Sequence, residues 1–270
     1  MKSVLKNLFL LAAVAGQLMS VESCSKTGYA DVLVIGGGAS GISAGIQTAR
    51  MGVPVMVVEE TPWVGGMLTA AGVSCVDGNY RLQSGIFGEF ADSLSARYGG
   101  WDALKTGWVS NVGFEPQVAQ DIFTSMTGRY EDALTVVRHT RVLDVVKGES
   151  GWIVTCDGPE GRMRITADVL IDATELGDIA ASCGVEYSIG MDSASETGES
   201  IAPDQANDII QDLTYVAVLK DYGEGADRTI AMPDGYDPAI YADCCVNPLN
   251  VHEGKADTGQ VIWPAGPMHT

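Results

Sequence analysis

The sequence predicts an α/β fold with a Rossmann-like parallel sheet and a β-meander crossover, and three features carry that expectation. The first is Asp31–Ile35, an apolar run short enough for a strand buried on both faces, followed by G-x-G-x-x-G at Gly36, Gly38 and Gly41 and then by a helical pattern. The second is a further apolar run, Val53–Val58, which ends in Glu59 about 18 residues past Gly41. That is close to the ~20-residue spacing at which an acid meets a ribose hydroxyl in dinucleotide-binding βαβ units. The third is a change of period after Leu134, where strand-like runs replace helical ones.

Each glycine of the fingerprint has its own expected task. Gly36 permits a sharp turn, Gly38 lets the backbone approach a pyrophosphate, and Gly41 allows close packing of helix on strand. Ile42, Gly45, Ile46 and Ala49 share one helix face, and Gly52 is a terminator. Ala39 and Ser40 open that helix, whose free N–H groups point at the phosphates. Glu60 offers a second carboxylate beside Glu59, so the ribose contact falls to one of the two. A carboxylate there favours an unphosphorylated ribose, as in FAD or NAD, over NADP.

The Gly65-Gly66 pair in Thr61–Thr69 allows close backbone approach to a ligand at the sheet edge. Asp77-Gly78-Asn79 reads as a turn, and Ser84 as the cap of a helix with Ile86, Phe87, Phe90, Ala91, Leu94 and Tyr98 on one face, closed by Gly99-Gly100. Pro116 opens another helix that ends at Gly128. Leu134–Val146, Trp152–Cys156 and Arg162–Ile165 read as a β-meander, and Ala167–Thr174 as a buried strand returning to the parallel sheet. Met191–Ser200 reads as an exposed loop and Gln211–Lys220 as a strand.

The net charge of −19, from 35 acids against 16 bases, disfavours nucleic acid and anionic membrane surfaces as partners. Lys2, Lys6 and the apolar Leu8–Met19 form a targeting segment to be set apart from the fold. Val21-Glu22-Ser23-Cys24 looks like a bacterial lipoprotein signal with Cys24 lipidated, while Glu22 leaves ordinary cleavage open. Membrane contact is therefore expected only through such an anchor, in the periplasm or at the outer membrane of a bacterium. The six cysteines have no C-x-x-C spacing, and His139, His252 and His269 have no helical partner, so no metal site is expected. Cys75, Cys156 and Cys183 lie in apolar surroundings and read as core.

GGGASG with VVEE, the loop GGMLT and the strand IDATELGD together resemble the FAD-dependent oxidoreductases of the glutathione-reductase-type flavoprotein class. WVGGMLTAAGVSCVDGN, SGIFGEF, TGWVSNVGFEP and IDATELGDIAASCGVEYSIG resemble, more narrowly, a bacterial group of secreted FAD-dependent oxidoreductases. The resemblance spans Asp31 to about Tyr241. It implies an FAD domain over 31–185, with a helical insertion at about 80–128, and a partial substrate-side α+β domain over 186–270, after a signal at 1–24. It implies Gly36, Gly38 and Gly41 at the pyrophosphate, Glu59 at the ribose, and Gly65, Gly66 and Met67 near the flavin end. Val142 would hold adenine through its backbone, and Ala173 and Thr174 would pack near the cofactor. Many relatives carry Gly after that Thr, whereas Glu175 stands here, which shifts weight to Gly177 and Asp178.

The expected activity is therefore flavin-mediated redox of a small-molecule substrate by an exported protein. An NAD-dependent dehydrogenase and a non-enzymatic envelope lipoprotein are the rival readings. Ser84, Trp108 and Glu115 lie in family-like segments, yet none is assigned a catalytic role, and the oligomeric state is left open. The resembled class closes its cofactor site with a late Gly-Asp segment, and no second such motif follows Gln211. The chain is thus expected to be incomplete as an FAD enzyme and to hold FAD weakly on its own.

Overall fold

The computed structural model describes residues 26–76, 80–82, 84–106, 110–211, 216, 222–237 and 239. The targeting segment with Cys24, the turn at 77–79, Trp108, nearly all of the 211–220 run and the residues from 240 onward lie outside the described residues. The chain divides into two compact units, one of residues 1–70 and 123–213, the other of residues 71–122 and 214–270.

In the first unit, β1 (Lys26–Ile35), helix α1 (Ala39–Arg50) and β2 (Val55–Val58) form the βαβ unit. The helix buries Gly41, Ile42, Gly45, Ile46 and Ala49 and packs on the sheet. A Cβ at Gly45 would lie 2.8 Å from Val57 and 3.1 Å from Leu134, so the missing side chain sets how closely helix and sheet approach. Gly52, at φ 77, donates its N–H to the Ala49 carbonyl and ends the helix.

Four strands follow the helices: β3 (Leu134–Val137), β4 (Arg141–Gly148), β5 (Gly151–Gly158) and β6 (Gly161–Asp172). The sheet order is β3-β2-β1-β6-β5-β4. β3, β2, β1 and β6 are parallel neighbours, and β6, β5 and β4 are joined antiparallel. β3 and β4 thus lie at opposite ends of the order, yet only residues 138–140 connect them. Five strand spacings amount to about 24 Å, whereas the connection reaches about 14 Å. The sheet must therefore curl, bringing the meander back over the parallel strands. Two contacts record the closure: Thr140 N–H donates to the Glu59 carbonyl at 2.9 Å, and a Cβ at Gly158 would lie 2.9 Å from the Thr140 hydroxyl.

The space enclosed by that curl is the core. Leu33, Ile35 and Val58 from the parallel strands meet Val154, Cys156, Ile165 and Ala167, with Val142, Val145 and Met163 packed against them. Each fully buried aliphatic side chain there contributes about 1.5–3 kcal/mol. Burial also pushes the Cys156 thiol up to about 11, so it packs as a small apolar group.

The strand boundaries correct the sequence reading in three places. β1 begins at Lys26 rather than Asp31, because Lys26–Ala30 pair with Met163–Ala167 of β6. Leu134–Val146 is two strands, because the chain turns at His139, a non-glycine residue at φ 53 whose N–H donates to the Thr61 carbonyl. Arg162–Ile165 and Ala167–Thr174 join in one strand that ends at Asp172, because Thr166 is extended with its side chain outward and β1 pairs along both halves; Asp168 and Val169 are exposed, so the second half is not buried throughout.

In the second unit, α2 (Gly85–Tyr98) is followed by a 3-10 turn (Trp101–Leu104). α3 (Pro116–Gly128) begins in this unit and ends in the first. Ser84 stands at the N-cap of α2 with no side-chain cap bond, a departure from the expected cap: its carbonyl accepts from Gly88 N–H. Gly99, at φ 82, ends the helix. Phe90 and Phe114 meet edge to face at 5.5 Å. The first unit also holds α4 (Asp178–Ser182). Beyond it Met191–Ser200 is largely exposed but holds a short helix, α5 (Ala194–Thr197), with a capping box between Ser193 and Glu196. Among the described residues no helix is long and apolar enough to cross a membrane.

A Cβ on Gly41 would fall on the Gly36 carbonyl oxygen, so the turn and the helix would have to move apart. Gly41→Ala is expected to lower stability by about 3 kcal/mol or more in urea unfolding. An unchanged midpoint and slope would contradict this packing.

Candidate functional site: a glycine notch at the end of the parallel strands

The fingerprint glycines stand in three different situations. Gly36 leaves β1 at φ 97, and a Cβ there would strike the Ala173 carbonyl. Gly41 is closed off by Gly36 itself. Both are thus required by the protein's own backbone. Gly38 is not: its φ of −63° and ψ of −177° suit any residue, and among the described residues a Cβ would approach only the flexible Glu175 Oε1, at 3.2 Å. Ala39, Ser40 and Gly41 open α1 beside it, and the N–H groups of a first helical turn have no partner within the helix. They lie at the positive end of the helix dipole.

A second glycine loop faces the first. Gly65, at φ 103, donates its N–H to the Gly37 carbonyl at 2.7 Å, and a Cβ on it would meet the Phe123 ring at 2.8 Å. Gly66, at φ 53, comes so close that its Cβ would lie 2.9 Å from the Gly38 Cα. The buried Thr69 hydroxyl donates to the Val64 carbonyl at 2.7 Å and closes the loop, leaving Met67 half exposed at its tip. Gly38 and Gly66 therefore wall a notch made of backbone rather than side chains.

The two candidate ribose acids are separated by burial. Glu59 is buried, and its carboxylate accepts from the N–H groups of Gly37 and Thr61, each at 2.7 Å. Glu60 is exposed. Glu59 thus joins the end of β2 to the glycine turn. A carboxylate has about four acceptor positions, and the Gly37 and Thr61 N–H groups take two of them among the described residues.

The loop after β6 completes this edge. Ala173 N–H donates to the Ile35 carbonyl at 2.8 Å, fixing the loop to the end of β1. The Thr174 hydroxyl donates to Asp172 and accepts from Asp178 N–H. Gly177, at φ 72, precedes α4. Gly36, Gly38, Ala39, Ser40, Gly41, Glu59, Gly65, Gly66, Ala173 and Thr174 thus gather at one end of the parallel strands, with Met67 in the 3-10 turn of the facing loop and Gly177 and Asp178 at the start of α4. Val142 stands apart on β4, an edge strand among the described residues, with its side chain packed into the core. Ser84 and Glu115 belong to the second unit, where Glu115 N–H donates to the Tyr98 hydroxyl.

The sequence reading passed over Asp172. Its carboxylate accepts from Thr174 N–H at 2.9 Å, the Thr174 hydroxyl at 2.7 Å and Ala180 N–H at 2.7 Å. An Asp ending an apolar strand, with Thr two residues on, is the signal that could have found it. Partial burial pushes this carboxyl upward, but the N–H of Ala180 and the hydroxyl and N–H of Thr174 outweigh burial and hold it below the ordinary 3.8. A depressed folded value means that the stabilisation is complete above 3.8 and is lost as pH falls through the lower folded value. Asp172→Asn is expected to cost about 1–2 kcal/mol at pH 7, with the gap to wild type closing in acid. Urea unfolding at both pH values reads this, and a gap independent of pH would contradict it.

Residues 31–265 match the family described as FAD dependent oxidoreductase. No curated protein matches the chain. Among solved structures, an L-proline dehydrogenase from P. horikoshii is similar at 18% identity and a TM-score of 0.37, covering 57% of this chain and 24% of that one. A p-nitrophenol 4-monooxygenase from Pseudomonas putida is similar at 13% identity and a TM-score of 0.44, covering 62% and 45%. An aklavinone-11 hydroxylase, solved with FAD and aklavinone, is similar at 19% identity and a TM-score of 0.33, covering 52% and 32%. The chain thus spans less than half the length of these three proteins. The family match covers most of the sequence, and on that match the chain belongs to the FAD dependent oxidoreductase family.

Proposed function

We propose that this chain binds FAD with the diphosphate in the notch between Gly38 and Gly66 and serves an exported oxidoreductase acting on a small molecule. The observation that carries the reading is Gly38: its backbone tolerates a side chain and no backbone among the described residues obstructs one, so the fold does not itself demand glycine there, and a close-lying ligand would. The residues present fit the cofactor. The opening N–H groups of α1, at Ala39 and Ser40, would receive the diphosphate. Glu59, beside the two N–H groups from which it accepts, would take the ribose hydroxyls, and Glu60 would stay in solvent.

Val142 would meet adenine through the backbone of its edge strand. Met67, Ala173, Thr174, Gly177 and Asp178 would border the flavin side, with Asp172 as a positioning residue for that loop. Flavin, when bound, supplies the electron transfer, and the protein's part is to orient it and exclude competing reactions. The glutathione-reductase-type subclass is supported by the β-meander between β3 and β6. Export, with Cys24 lipidated, is supported by Lys2, Lys6 and the apolar Leu8–Met19. Residues 186–270 would belong to the substrate side, and the excess of acids disfavours nucleic acid as a partner.

Titration of the purified chain with FAD, followed by flavin fluorescence and visible absorbance, tests the reading. Saturable binding is expected, and Gly38→Val is expected to weaken it at least tenfold while leaving the melting temperature within a few degrees of wild type. Unchanged affinity in the folded variant would remove the diphosphate from this notch. Saturable NADH binding with no flavin binding would overturn the cofactor assignment. Intact-mass measurement of the mature protein is expected to show a lipidated Cys24 at its start, and an unmodified Cys24 would leave ordinary export.

A further inference from the structure

The notch is not open along its whole length. Glu175 follows Thr174 on the loop after β6, and its Oε1 lies 3.2 Å from where a Gly38 Cβ would stand and 2.7 Å from where a Gly66 Cβ would stand. The carboxylate thus occupies the space between the two glycines. This is the volume that a diphosphate at the start of α1 needs, and both groups are anionic. Like charges about 4 Å apart repel strongly even at the intermediate dielectric of a protein surface. Glu175 is exposed, so its side chain can rotate into solvent without disturbing a packed core. Its backbone is held independently, because Thr174 on one side and Ala180 beyond it are both tied to Asp172.

We infer that the Glu175 side chain is a movable occupant of the diphosphate notch, that FAD enters only as this carboxylate swings out, and that residue 175 thereby limits the affinity for FAD. The inference rests on the FAD reading above and deepens it. The occupant competes with the diphosphate alone, so its removal acts on any ligand that carries one and not on the nucleoside.

The test compares wild type with Glu175→Ala and Glu175→Gln in titrations with FAD, ADP and adenosine, with melting curves of the ligand-free proteins alongside. Glu175→Ala is expected to bind FAD and ADP at least tenfold more tightly than wild type and adenosine equally well. Glu175→Gln, which keeps the volume but not the charge, is expected to show a smaller gain. Wild-type FAD binding with no gain in Glu175→Ala would overturn this proposal alone, as would a gain for FAD without one for ADP. Failure of all three proteins to bind FAD or ADP would overturn the FAD reading, and this proposal with it.

Discussion

The structure depends on a contact between backbones at the end of β1. Gly36 turns with its carbonyl directly beneath Gly41, and its Cα faces the Ala173 carbonyl so closely that no side chain fits. Ala173 N–H, in turn, is bonded to Ile35. Strand β1, the start of α1 and the loop leaving β6 are thereby fixed at one point, though they come from parts of the chain well over a hundred residues apart. Every other feature of the site is arranged around that point. The packing of α1 fixes the direction of its first N–H groups, the Gly65 bond to Gly37 adds the facing loop, and the Ala173 contact brings Glu175 alongside.

A second constraint follows from the short connection at 138–140. Because β3 and β4 must be reached in succession, the meander folds over the parallel strands, and the core forms between two faces of one sheet. The same connection returns past the end of β2, where Thr140 and His139 bond to the carbonyls of Glu59 and Thr61. Glu59 therefore serves the fold as well as any ligand. Its carboxylate holds the buried Gly37 N–H, and loss of that acceptor would leave a buried donor unsatisfied.

The βαβ unit was legible in the sequence because its signals are local. Strand runs, glycine spacing, helix face and terminal acid all fall within Asp31–Glu59, and the structure follows them except that β1 extends back to Lys26 through its pairing with β6. The division at His139 was hidden, since a left-handed turn at a non-glycine residue carries no compositional mark. The continuity of β6 was hidden by the opposite cause: Thr166 breaks the apolar pattern while remaining extended, as an outward-facing strand residue does. Asp172 could have been read from its Thr174 neighbour, whereas the position of Glu175 could not. Its relation to Gly38 and Gly66 exists only after three distant loops have been brought together.

The central claim is that a dinucleotide lies across the notch walled by Gly38 and Gly66. Hydrogen–deuterium exchange with and without FAD addresses it most directly, because the expected contacts are largely to backbone. FAD is predicted to slow exchange in peptides covering 36–43 and 64–68, while α2 in the other unit exchanges as before. Protection confined to other segments, with these two unchanged at saturating FAD, would contradict the account.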